Sequence, residues 1–205
     1  MNDLAQRRKH LAETLMRDSI CEAAETVLAE VGFASLTMDR VAQAADVSKG
    51  TLYNYFRDRD ALVLDVVNRA FDPLHVELDE LFATRTDIPG VLIESTRAIL
   101  GYVERQHALG KVFCGGDLPP FLEARFRENH VQMLDRFTGV FEQAAAYGAL
   151  RQPCGQPAMA ARLYTMALHG VIEERILYPE ECPPLSDELD FLTRFMINPW
   201  FKETE

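Results

Sequence analysis

The sequence predicts an all-α protein, and three observations predict it. Apolar residues recur at helical spacing through nearly every segment. No stretch alternates apolar and polar residues long enough to make a strand. Glycine and proline fall in short clusters that punctuate the periodic runs. With 205 residues, two small domains suit the chain better than one large core. We place the boundary after a three-helix N-terminal domain (1–57), with a helical bundle from 58 to 205.

Taken in order, Ile20, Ala24, Val27, Leu28 and Val31 mark one face of a first helix. Gly32 supplies its stop, and Phe33 is placed to fold back on the last turn. Thr37 is an N-cap for a short helix to about Ala45, with Asp39 at the positive end of its dipole. Asp46-Val47 makes a turn, and Ser48 caps a third helix from Lys49 to Phe56. Asp58 caps a fourth, striped by Leu62, Val66, Ala70, Leu74 and Leu78. Pro73 lies within that stripe and should kink or interrupt it. Asp87-Ile88-Pro89-Gly90 opens a helix to about His107; Gly110 and Cys114-Gly115-Gly116 then mark a break. Pro119-Pro120 leads into a long helix ending near Gly148, and 153–157 reads as a loop. The last two helices run from about Ala158 to Leu177 and from Ser186 to Ile197, with the proline-rich stretch 178–185 between them.

Composition narrows the function classes. Apolar residues at 48% and charged residues at 26% are those of an ordinary soluble globular protein. No run of 18 apolar residues spans a bilayer, and the N-terminus is polar through His10, so a cytoplasmic protein with no membrane partner is expected. Cys21, Cys114, Cys154 and Cys182 are scattered, which suggests neither a disulfide framework nor a zinc site. The net charge of −11 is unequally distributed: residues 1–60 carry 8 Lys and Arg against 10 Asp and Glu, a balance of −2, and the remainder carries −9. Basic groups gather at Arg7, Arg8 and Lys9 and again at Lys49, Arg57 and Arg59. Affinity for nucleic acid depends on such a local face rather than on the total.

Two short helices joined by a tight turn are the device that seats a helix in the major groove. Val41, Ala42 and Ala45 are small enough for a close helix crossing, and Leu52 and Phe56, four apart, anchor the second helix inward. Lys49, Thr51, Tyr53, Asn54 and Tyr55 are left outward: a cation, hydroxyls, a carboxamide and phenols, suited to phosphates and base edges. Gly50 lets the backbone come close to a phosphate. The run Leu36-Thr37-Met38 … Val41-Ala42 … Ala45 … Val47-Ser48-Lys49-Gly50-Thr51-Leu52-Tyr53-Asn54-Tyr55-Phe56 … Arg59 … Leu62 resembles the N-terminal domain of TetR-type transcriptional regulators, over about a quarter of the chain. The resemblance implies a homodimeric, ligand-responsive repressor that binds a palindromic double-stranded operator. It implies phosphate contacts from Thr37 and Arg59 and a DNA face of Ser48, Lys49, Gly50, Thr51, Tyr53 and Tyr55. Asn54, at a position that varies in the family, would help set operator sequence. Asp46 stands where the family commonly has glycine, but Asp tolerates the left-handed conformation better than most residues. The Arg7-Arg8-Lys9 run is either a flexible arm to the DNA or a solvated tail.

The resemblance assigns both dimerisation and effector binding to the C-terminal bundle. Tyr164, Leu168, Val171 and Ile172 of one helix, and Leu192, Phe195 and Met196 of the last, cover more than one face, which points to a four-helix dimer interface or to a thick monomer core. Phe113, Phe121, Phe126, Met133, Phe137, Phe141, Tyr147 and Met166 are candidates for a small-molecule pocket or for ordinary core; Glu173 and Glu174 would hold a cationic ligand, or else sit in solvent or in salt bridges. A di-iron enzyme needs two Glu-x-x-His motifs, and Glu104-Arg105-Gln106-His107 supplies one; His169 and Glu173 make only a weak pair. No phosphate loop or catalytic elbow is present. A non-enzymatic regulator without metal or cofactor is expected, and a protein-binding adaptor is the other reading.

Overall fold

The structure is a computed structural model that describes residues 2–84, 87–114, 118–151 and 156–202. The breaks expected at Gly115-Gly116 and from Pro153, and Cys154, lie outside the described residues. The described residues form helices α1 (Asn2–Ser35), α2 (Met38–Ala44), α3 (Lys49–Tyr55), α4 (Arg59–Thr84), α5 (Ile88–Arg105), α6 (His107–Cys114), α7 (Pro120–Ala146), α8 (Pro157–Leu177) and α9 (Leu185–Leu192). A wide π turn, Thr193–Ile197, and a tight turn, Asn198–Trp200, continue α9. The one extended pairing among them is an isolated antiparallel bridge of Leu150 with Phe201. Arg151 N–H donates to Trp200 O at 2.8 Å and Lys202 N–H to Ala149 O at 2.9 Å, tying the C-terminal end to the turn after α7.

The chain divides into two compact units: the residues up to Asp72 with Lys111–Phe113, and Pro73–Gly110 with the residues from Cys114 on. In the first unit, Ile20, Ala24 and Leu28 of α1, Val41 of α2, Leu52 of α3 and Leu62, Val63 and Val66 of α4 are all buried. In the second, Leu92, Ile99 and Leu100 of α5, Phe137 and Phe141 of α7, Ala161, Tyr164 and Leu168 of α8, and Leu189, Leu192 and Ile197 form one core. The phenol of Tyr164, fully buried, hydrogen-bonds Thr96 and the carbonyl of Leu92, so its polar end is satisfied inside α5.

The structure differs from the sequence expectation at Pro73 and Gly110, and it adds detail at the N-terminal basic run and at Phe33. Helix α1 starts at Asn2, so Arg7, Arg8 and Lys9 are exposed helical residues rather than a flexible arm. Pro73 does not interrupt α4: it lies on the exposed face, where water can take the carbonyl that its missing N–H leaves free. Gly110 does not break the chain but sits inside α6, where a Cβ would come within 3.0 Å of Ile176 Cδ1; glycine there permits close helix packing. Phe33 turns its ring under the Arg59 guanidinium, 4.4 Å from the ring centre. Gly32, at φ 73°, does end the regular part of α1.

Candidate DNA-binding site

Local hydrogen bonding builds the helix-turn-helix. Thr37 Oγ1 accepts from Arg40 N–H at 3.3 Å and caps α2. Ala45 N–H donates to Val41 O and Val47 N–H to Ala42 O, and Asp46 takes φ 53° to turn the chain. Ser48 Oγ then accepts from Thr51 N–H at 3.0 Å and shares a 2.8 Å hydrogen bond with the Thr51 hydroxyl, capping α3. Asp58 caps α4 by accepting from Ala61 N–H at 2.8 Å.

Helix α3 is two-sided. Leu52 and Phe56 are buried beneath it, with the Arg17 guanidinium 4.6 Å from the centre of the Phe56 ring. Lys49, Gly50, Tyr53 and Asn54 are exposed, Tyr53 by 45%, and Thr51 and Tyr55 are half-buried. A Cβ on Gly50 would meet nothing nearer than Ser48 Oγ at 3.8 Å, so the fold itself does not demand glycine there. Lys49 Nζ pairs with Asp39 Oδ1 at 2.6 Å, and this hydrogen bond raises the lysine pKa above its ordinary value. Both partners are exposed, so an arriving phosphate can compete for the ammonium. Asp39 is the residue that the sequence did not single out for this role; only the fold shows that the turn brings the first turns of α2 and α3 together. Arg59, less exposed than Lys49, lies over Phe33 and 3.4 Å from Asp60. Thr37 and Ser48 are exposed, with their hydroxyls also serving as caps.

The other candidate residues are scattered. Phe137 belongs to the core of the second unit, its ring centre 4.6 Å from that of Tyr164, and Met133 packs partly buried against the same core. Phe121 and Phe126 are half-buried; Phe113, also half-buried, belongs to the first unit. Met166 and Glu173 lie on the exposed side of α8, as does Glu174, and Tyr147 is exposed after α7. Phe141 is fully buried. Of the residues assigned to a dimer interface, Tyr164, Leu168 and Leu192 are buried within the chain, because the helix faces they occupy turn toward α5 and α7. Val171, Ile172 and Met196 are half-buried, and Phe195 is exposed. The apolar residues that α8 leaves in solvent are Met159, Leu163 and Met166, one helical stripe, and Phe191 and Phe195 stack at 4.5 Å beyond it in sequence. His169 stacks on His130 instead of meeting a metal partner, and Glu104 is held by Arg175. Among the described residues no group of three or more His, Cys, Asp or Glu side chains is placed to hold a metal, and no helix is long and apolar enough to cross a membrane.

Residues 20–66 match the family model for bacterial regulatory proteins of the tetR family. A transcriptional repressor of Mycolicibacterium smegmatis, KstR2, is 25% identical over 146 residues, 66% of this chain and 67% of its own. The Stenotrophomonas maltophilia repressor SmeT, solved with triclosan, superimposes with a TM-score of 0.76 at 21% identity, covering 92% of this chain and 93% of that one. FadR of Bacillus subtilis, solved with stearoyl-CoA, gives a TM-score of 0.76 at 15% identity over 88% and 97%. The capped α2-turn-α3 unit lies wholly inside the matched segment, so residues 20–66 form a domain of the kind found in bacterial regulatory proteins of the tetR family.

Proposed function

We propose that the chain is a sequence-specific repressor that binds a near-palindromic operator as a homodimer and leaves it when a small molecule binds the helical bundle. The observation that carries the reading is the division of α3 into a buried Leu52–Phe56 side and an outward Lys49, Tyr53 and Asn54 side. Thr37, Ser48, Gly50, Thr51, Tyr55 and Arg59 complete the proposed DNA face. Lys49 and Arg59 would contact phosphates, and Asn54 would read a base edge.

Two copies of α3 reach successive major grooves only about 34–36 Å apart, so a two-fold dimer requires a two-fold site. The exposed stripe of Met159, Leu163 and Met166 with the Phe191–Phe195 stack is the surface we assign to the partner copy. Residues 1–57 carry the DNA function in this reading, and 58–205 carry dimerisation and the effector. The triclosan and stearoyl-CoA in the two related structures support a ligand-responsive bundle. The effector shifts the DNA equilibrium only by its preference for one state over the other. The protein works in the cytoplasm by binding, not by catalysis. Footprinting the purified chain on the DNA flanking its own gene tests this: two protected half-sites of inverted sequence, centred one helical turn apart, are expected. Protection of unrelated DNA with equal affinity would refute sequence-specific recognition.

A further inference from the structure

Helix α1 begins at Asn2, well ahead of the domain matched at residues 20–66. Every residue from Leu4 to Arg17 is exposed, and the burial of α1 starts at Ile20. Along the exposed stretch Leu4, Leu11 and Leu15 are 61%, 60% and 59% accessible to water. With about 3.6 residues per turn, these leucines fall on one narrow line. That line is on the opposite side of α1 from the buried Ile20, Ala24 and Leu28, so the core beneath α1 does not cover it.

The spacing fits a second helix. Leu4, Leu11 and Leu15 stand seven and four apart, the intervals of a coiled-coil seam. Such a seam is narrower than the apolar face that a helix lays on a core or a bilayer. In the same register the seam runs Leu4, Arg8, Leu11, Leu15, Asp18 and Glu22, in steps of four and three. Its charges decide which helix, and in which direction. A parallel copy of α1 would set Arg8 against Arg8 and Asp18 against Asp18. An antiparallel copy, crossing level with Glu13, sets Leu11 against Leu15 twice and Arg8 against Asp18 at both ends. Leu4 then lies along the stem of Glu22. Asp18 and Glu22 share the Arg69 guanidinium of α4, Glu22 at 3.7 Å. Two carboxylates on one guanidinium leave a negative end, and the incoming Arg8 balances it.

We propose that α1 is a self-association surface: the Leu4–Asp18 stripes of two chains pair antiparallel and are closed at both ends by Arg8–Asp18 ion pairs. The copies are related by a two-fold axis, so one patch is its own complement. This surface is separate from the α8 stripe, and a chain that uses both joins dimers into larger assemblies. Two leucine layers are a small interface, so the pairing is weak between free chains and strengthens when chains are held side by side, as on adjacent operators. Only that setting rests on the repressor reading.

Cysteine trapping tests the pairing and its direction. Full-length chain carrying Leu11→Cys is mixed with full-length chain carrying Leu15→Cys and oxidised mildly, without DNA. Peptide mass spectrometry separates links between the new cysteines from any made by the native ones. Links from position 11 to position 15 should exceed those from 11 to 11 and from 15 to 15 by about tenfold, because only the first pair lies in one layer of the antiparallel seam. Adding Arg8→Glu to both chains turns two attractions into two repulsions and should cut the linkage about tenfold, whereas Arg8→Lys should keep it. Glu near a helix N-terminus favours the helix, so circular dichroism should show no loss of fold. The proposal is overturned if no linkage forms, if the three links appear in the proportions of random collision, if 11–11 and 15–15 links dominate, or if Arg8→Glu leaves the linkage unchanged. Any of these would leave the stripe to a partner other than an antiparallel copy of this chain. A failed footprint and a failed trapping experiment are separate results, since the trapping needs no operator.

Discussion

At the scale of single residues, the helix-turn-helix is written in side chains that bond to their own backbone. Thr37, Ser48 and Asp58 each accept an N–H three residues on, and Asp46 takes the left-handed turn. Such contacts are legible in sequence because both partners are close along the chain. Gly110 shows the opposite case. A glycine between helical runs reads as a break, yet this one is a contact, and its partner Ile176 lies sixty-six residues away. The distinction has a measurable consequence. Gly110→Ala should cost about 1–3 kcal/mol, because Ile176 must give way. Gly139→Ala, inside α7 with nothing within 4 Å of the added Cβ, should instead stabilise by roughly 0.5–1 kcal/mol. Chemical denaturation of the two variants checks the contrast; equal effects would mean that α6 does not pack on Ile176 this closely.

At the scale of helices, periodicity located most elements but not the direction of every face. The stripe of Leu62, Val66, Ala70, Leu74 and Leu78 along α4 is buried as read, because it is apolar on one side only. Helix α8 is apolar nearly all round, and its sequence does not say which side meets its own chain. Its own core takes Tyr164 and Leu168, leaving Met159, Leu163 and Met166 outside. Pro73 leaves α4 uninterrupted for a related reason: one missing hydrogen bond on a solvated face is tolerated when a long stripe holds the helix down. The outer α8 stripe carries the dimer proposal. Leu163→Glu combined with Phe195→Glu places charge on exposed positions, so each chain should stay folded while the dimer dissociates. Light scattering coupled to size exclusion should give the mass of one chain, against two for the unaltered protein. A double variant that stays dimeric would move the interface elsewhere.

At the scale of the whole molecule, an acidic chain carries a candidate DNA face because the charges are unequally distributed: −2 over residues 1–60 and −9 over the rest. Sequence alone made that face legible, since capping, turn and anchor residues all lie within about two dozen positions. The Asp39–Lys49 pair was not legible, because it exists only once the turn has folded. That pair makes Lys49 the natural place to probe the face. Affinity for the footprinted site should be measured from low to high salt for the unaltered protein and for Lys49→Ala. Each lost phosphate contact lowers the slope of log affinity against log salt by about one, and a dimer loses two such contacts. Weaker binding and a slope shallower by about two are expected, with thermal stability unchanged. An identical slope and an identical affinity in the variant would show that the outward side of α3 does not touch the phosphates.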